Sequence, residues 1–133
     1  MSRGRGIVLA GVLGLWAASG AAQAETLDLP SGHAAVLHDT YWEEDVGSLR
    51  LRFIVEAVTD PAYGGDDAAV FADMEWLCTR TGLAMIEADG HPWEGVTVTM
   101  MAEPVEFGRS APDVVQFFEA FAVLDGACSW EAY

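Results

Sequence analysis

The chain has 133 residues, and its 21 aspartates and glutamates face six arginines and no lysine, a formal net charge of −15. Such a field repels nucleic acid and anionic lipid headgroups, which excludes both as electrostatic partners. A hydrophobic share of 52% excludes a disordered polyanion, and the length allows one domain with one modest core.

Met1–Ala24 reads as a secretory signal peptide. Arg3 and Arg5 precede an apolar run from Ile7 to about Ala18, and Ala22-Gln23-Ala24 forms an A-x-A cleavage pattern. The alternative, an uncleaved anchor, fits less well. The run is diluted by Gly11, Gly14 and Gly20, and a stable span needs about 20 firmly apolar residues. Glu25 follows the site, so the lipoprotein cysteine is absent, and Gly4 splits the arginines of a twin-arginine signal. The expected product is one exported domain, 25–133, in the periplasm or outside the cell, with no membrane span. It keeps Arg50, Arg52, Arg80 and Arg109 against all 21 carboxylates. That surface favours solubility, and it attracts cationic partners or divalent ions.

Glu25–Gly32 is an entry segment with a turn at Pro30-Ser31-Gly32. Ala34–Glu43 reads as a strand and Glu43–Ser48 as an acidic turn. Leu49–Val58 reads as a second strand, with Leu49, Leu51, Phe53, Val55 and Ala57 on one face and Arg50, Arg52, Ile54 and Glu56 on the other. The short spacing predicts an antiparallel hairpin. After a loop with Pro61, Gly64 and Gly65 comes a helix capped by Asp66 or Asp67. Val70, Phe71, Met74, Leu77 and Cys78 fall on its buried stripe, and Gly82 suits the left-handed residue that closes it. Leu83–Ile86 is a short apolar stretch without a defined period.

Asp89-Gly90-His91-Pro92 is a turn, and Gly95–Ala102 alternates as a strand. Val114–Leu124 reads as a strand, with a helical first turn as the alternative. Asp125-Gly126 is a tight-turn signal, and Ala127–Tyr133 returns as a strand carrying Cys128 and Trp130 on one face. The elements predict an α+β domain: a mostly antiparallel sheet of four to five strands with one main helix packed on one face.

Cys78 and Cys128 are the only cysteines. In an oxidising compartment a lone pair in a small domain forms a structural disulfide. Their spacing is not that of a catalytic C-x-x-C, and two thiols are too few for a zinc site without histidines.

Several stretches together resemble a family of short exported alphaproteobacterial proteins of uncharacterised function. They are Pro30-Ser31-Gly32, Asp73-Met74, Leu77-Cys78, Pro104-Val105-Glu106-Phe107-Gly108, Ala111-Pro112, Gln116-Phe117-Phe118-Glu119-Ala120 and Asp125-Gly126-Ala127-Cys128 with Trp130-Glu131. The resemblance implies export, one domain and a cysteine pair, and no activity.

No catalytic set stands out. His33 follows a turn, and His91 lies in a Gly-His-Pro turn. In a regular strand His38 and Asp39 point to opposite faces, so their adjacency is no dyad. No serine lies in a G-x-S-x-G setting, and no phosphate loop or dinucleotide fingerprint is present. The acidic runs Glu43-Glu44-Asp45 and Asp66-Asp67 read as solvated faces and caps, since the ordered calcium loop is missing. Arg50 and Arg52 share a strand face, where they pair with carboxylates or form a local anion site. Trp76 falls off the helix stripe, beside Asp73, with Arg80 placed to stack on it. It is the candidate partner anchor, together with Arg80, Arg50 and Arg52.

The expectation is a non-enzymatic exported protein that binds an envelope protein or a small, for example cationic, ligand, without cofactor or metal. The competing classes are a small acid–base hydrolase using His38 or His91 with a carboxylate, and a divalent-cation binder. A histidine hydrogen-bonded to a carboxylate within a cleft would favour the hydrolase.

Overall fold

The computed structural model describes residues 25–131. Met1–Ala24, the segment expected to be a signal peptide, lies outside them. A six-stranded sheet runs in the order β1 (Thr26–Asp28), β2 (Ala34–Glu43), β3 (Ser48–Ile54), β4 (Gly95–Met101), β5 (Gln116–Leu124) and β6 (Ala127–Trp130). All neighbours are antiparallel except β3 and β4, which are parallel. A parallel pair needs a crossover connection. Here it is a 3-10 turn (Glu56–Thr59), α1 (Pro61–Gly64), α2 (Asp67–Leu77), a π-helical turn (Cys78–Gly82) and α3 (Leu83–Asp89). Among the described residues no helix is long and apolar enough to cross a membrane. The domain is α+β with one main helix over one sheet face, as its sequence predicts. The added strand is β1, whose three residues are too few for a period to show.

Leu49, Leu51 and Phe53 alternate inward on β3, as do Val96, Val98 and Met100 on β4 and Phe121 on β5. Val70, Met74, Leu77 and Cys78 of the helix close the core from above. The β3 strand stops at Ile54 rather than running to Val58. The Val55 N–H still bonds to Met101 O, but the Val58 N–H turns back to Val55 O and starts the crossover.

Asp60 caps α1 by accepting from Ala62 N, with Pro61 in the first helical position, and Asp66 caps α2 by accepting from Ala69 N. The helix does not end at Gly82. That residue is right-handed (φ −63°, ψ −52°), and its helical path continues to Asp89, where Gly90 (φ 85°) supplies the left-handed closure. Gly82 serves close approach instead. A Cβ there would lie 3.0 Å from Val96 Cγ1 and 3.5 Å from Leu51 Cδ1, so its bare backbone lets the helix sit down on the sheet. Leu83–Ile86 is therefore helical.

Candidate functional site

The Cys78–Cys128 disulfide joins the start of the π-helical turn to β6. It fixes the helix over the last two strands and shapes a groove beside them. Val70, Phe71 and Met74 of α2 form one wall, and Phe117 of β5 with Trp130 of β6 form the other. The space is about 600 Å³. Phe71 packs on Phe121 at 5.7 Å and edge-on to Trp130 at 5.5 Å. The Trp130 indole N–H donates to Glu119 Oε2 at 2.9 Å, so the ring is oriented while 53% of the residue stays exposed. Phe118, 69% exposed and paired across the sheet with Thr99, also borders the groove.

A second cleft, of about 360 Å³, lies where β2 ends near the α3 terminus. Trp42, Glu44, Gly47, Asp89, His91, Pro92 and Trp93 line it. The indoles of Trp42 and Trp93 meet at 4.8 Å. Asp89 Oδ2 accepts from Trp93 Nε1 at 2.8 Å and lies 2.9 Å from His91 Nδ1. The Trp93 indole, then the His91 contacts, hold the Asp89 carboxyl below its usual range. His91 was singled out in the sequence, whereas Trp42, Trp93 and Asp89 were not. Asp89 and Trp93 are four apart but lie across the helix end, so no helical wheel joins them.

Arg50 and Arg52 share the sheet face away from the helix, and both are engaged internally. Arg50 Nε lies 2.9 Å from Glu43 Oε1. Arg52, only 4% exposed, bonds to Asp39 Oδ2 at 2.7 Å and donates to the Val105 carbonyl. Phe107 covers both guanidinium groups at 5.7 and 5.3 Å and stacks on Tyr41 at 4.0 Å. This structure places the pair with carboxylates, as the first of the two expected arrangements. A β-bulge between Leu37 and Asp39 explains the geometry. It leaves Leu37 paired with Phe53 on the core side and turns Asp39 to Arg52 on the other face. At the bulge His38 Nε2 comes to 4.0 Å from Asp39 Oδ2, too long for a hydrogen bond, so the adjacent pair forms no dyad.

Trp76 is half-buried against the core, and Arg80 reaches Glu25 at 3.8 Å rather than stacking on the indole. Its neighbour on the wheel, Asp73, is fully buried. Ser31 N (3.1 Å), Ser31 Oγ (2.5 Å) and Tyr63 Oη (2.5 Å) all donate to its carboxylate. Burial, then the Asp73 hydrogen bond, push the Tyr63 phenol far above its ordinary range. His33 packs on Tyr63 at 4.4 Å. This cluster pins the β1–β2 turn to α2. A buried aspartate on a helix carries no mark in a single sequence that separates it from a solvated one. Among the described residues no group of three or more His, Cys, Asp or Glu is placed to hold a metal ion.

The model of a family of unknown function, DUF6497, matches residues 12–133. No curated protein and no solved structure matches the chain.

Proposed function

This chain belongs to the DUF6497 family, and we propose that it is an exported, non-enzymatic protein that binds an apolar ligand, or an apolar side chain of an envelope partner, in the groove between α2 and β5–β6. The observation that carries this reading is the groove itself. Its 600 Å³ falls within the usual range of small-molecule sites, and its walls are the aromatic and thioether side chains of Phe71, Met74, Phe117 and Trp130. The ionisable groups on its lining are Asp67 and Glu119, and Glu119 is taken up in orienting Trp130. The disulfide supports export, since cytosolic thiols are kept reduced. So does the A-x-A pattern at Ala22–Ala24. A neutral apolar dye, N-phenyl-1-naphthylamine, tests the groove. Saturable fluorescence enhancement, weakened about fivefold or more in Trp130→Ala, is expected. No saturable binding, or equal binding by the variant, refutes it. N-terminal sequencing of native material tests export, with Glu25 expected first.

A second reading, a small acid–base hydrolase, is favoured by one contact: His91 Nδ1 lies 2.9 Å from Asp89 Oδ2 in the tryptophan cleft. The lining there carries no hydroxyl or thiol nucleophile, so water would be the attacking group. Hydrolysis of chromogenic esters or glycosides that disappears in His91→Gln would support it, and equal turnover by the variant would exclude it.

A further inference from the structure

We propose that the Trp42–Trp93 cleft is a separate site for an organic cation bearing an alkylated ammonium group. This cleft lies apart from the groove and shares no lining residue with it. Alkylated ammonium groups shed water readily and are attracted to the electron-rich faces of indoles. The cleft offers two such rings, in contact and half-buried. The Trp93 ring is oriented by its N–H, which is given to Asp89 Oδ2 at 2.8 Å. Donation to a carboxylate also enriches the ring in electron density, which strengthens its pull on a cation.

The charge around the rings selects the ligand. Glu44 and Asp89 line the cleft, and no arginine does. Glu94 stands at its Gly47 side, with Oε2 3.6 Å from where a Gly47 Cβ would be. Arg50, the basic residue paired across the sheet with Tyr41 next to Trp42, is already engaged by Glu43 at 2.9 Å. An anion is therefore repelled, and a cation is drawn both by these carboxylates and by the acidic surface as a whole. Indole faces also take neutral sugars. Carboxylates around the rings add nothing to the stacking of a neutral sugar, whereas they reinforce a cation.

The test uses the cleaved chain with its disulfide intact, at low salt and about pH 8. Choline is the probe, 3,3-dimethyl-1-butanol its neutral isostere, and the indole N–H resonances of Trp42 and Trp93 the readout. Choline should shift both saturably, the isostere should not, and added salt should weaken the effect. Trp93→Leu should lower the affinity about tenfold. Glu44→Gln, at an exposed position that cannot unfold the protein, should lower it about threefold. Equal shifts from the isostere, an unchanged affinity in Glu44→Gln, tighter binding of a neutral oligosaccharide, or no saturable shift up to ~100 mM choline would each overturn the proposal.

Discussion

Replacing Asp73 with alanine removes the acceptor of three hydrogen bonds at once. Hydrogen bonds to an ionised group contribute about 1.5–3 kcal/mol each, but their loss is felt in full only where the donor stays dry. Ser31 is exposed and recovers water. Tyr63 is 4% exposed, and the Met100 sulfur, 3.9 Å from its hydroxyl, is a weak substitute. One stranded hydroxyl costs about 1–3 kcal/mol, and the released β1–β2 turn adds to it, so Asp73→Ala should lose about 3 kcal/mol. Tyr63→Phe leaves the converse, a buried carboxylate held by Ser31 alone, at about 2 kcal/mol. The double variant strands neither partner and should recover about 2 kcal/mol of the summed losses. Urea unfolding followed by tryptophan fluorescence, with the disulfide intact, gives all four corners of the cycle. Losses that add to within about 0.5 kcal/mol would show that the two side chains do not depend on each other, and the reasoning would fail.

Reducing Cys78–Cys128 opens a loop of sequence separation 50 and should cost about 4 kcal/mol, read as a lower urea midpoint in dithiothreitol. An unchanged midpoint would argue against the bridge. Gly64→Ala would drive a Cβ into the backbone carbonyl of Val58, which cannot move without breaking the 3-10 turn, and should lose about 2 kcal/mol or more in the same assay. Tyr63 keeps its proton in the fold beyond the pH at which a free phenol ionises, ordinarily 10.0. The unfolded chain therefore loses that proton first. The contribution is complete below about pH 10 and falls as pH rises above it. Alkaline melting curves should decline less steeply in Tyr63→Phe, and parallel curves would remove the burial argument.

The residues that revealed themselves in the sequence did so through local chemistry. The inward alternation of Leu49, Leu51 and Phe53, the Asp66 cap and the Asp125-Gly126 turn are decided within a few residues. That turn has φ 52° and 73°, both left-handed. The cysteine pair was legible from its isolation. What escaped depends on partners far along the chain. The β3–β4 pairing is parallel because the helix carries the chain back to the starting end of β3, and no turn signal marks that. Gly82 looks like a terminator until Val96 is known to lie beneath it. The Leu37–Asp39 bulge skips His38 and sets Asp39 opposite Arg52, a pairing 13 positions apart that no local signal marks. Of the tryptophan cleft, His91 and the acidic run that holds Glu44 show in the sequence, whereas Trp42 and Trp93 lie 51 positions apart in numbering and meet only after β2 and α3 have packed.

The cross-link has a consequence for proteolysis. Arg109 stands on the exposed segment between β4 and β5, inside the ring that Cys78 and Cys128 close. A trypsin-like cut there severs the backbone yet frees no fragment. The downstream piece stays covalently bound through Cys128, and β5 remains laced between β4 and β6. A clipped molecule would run as one band without thiol and part into two with it.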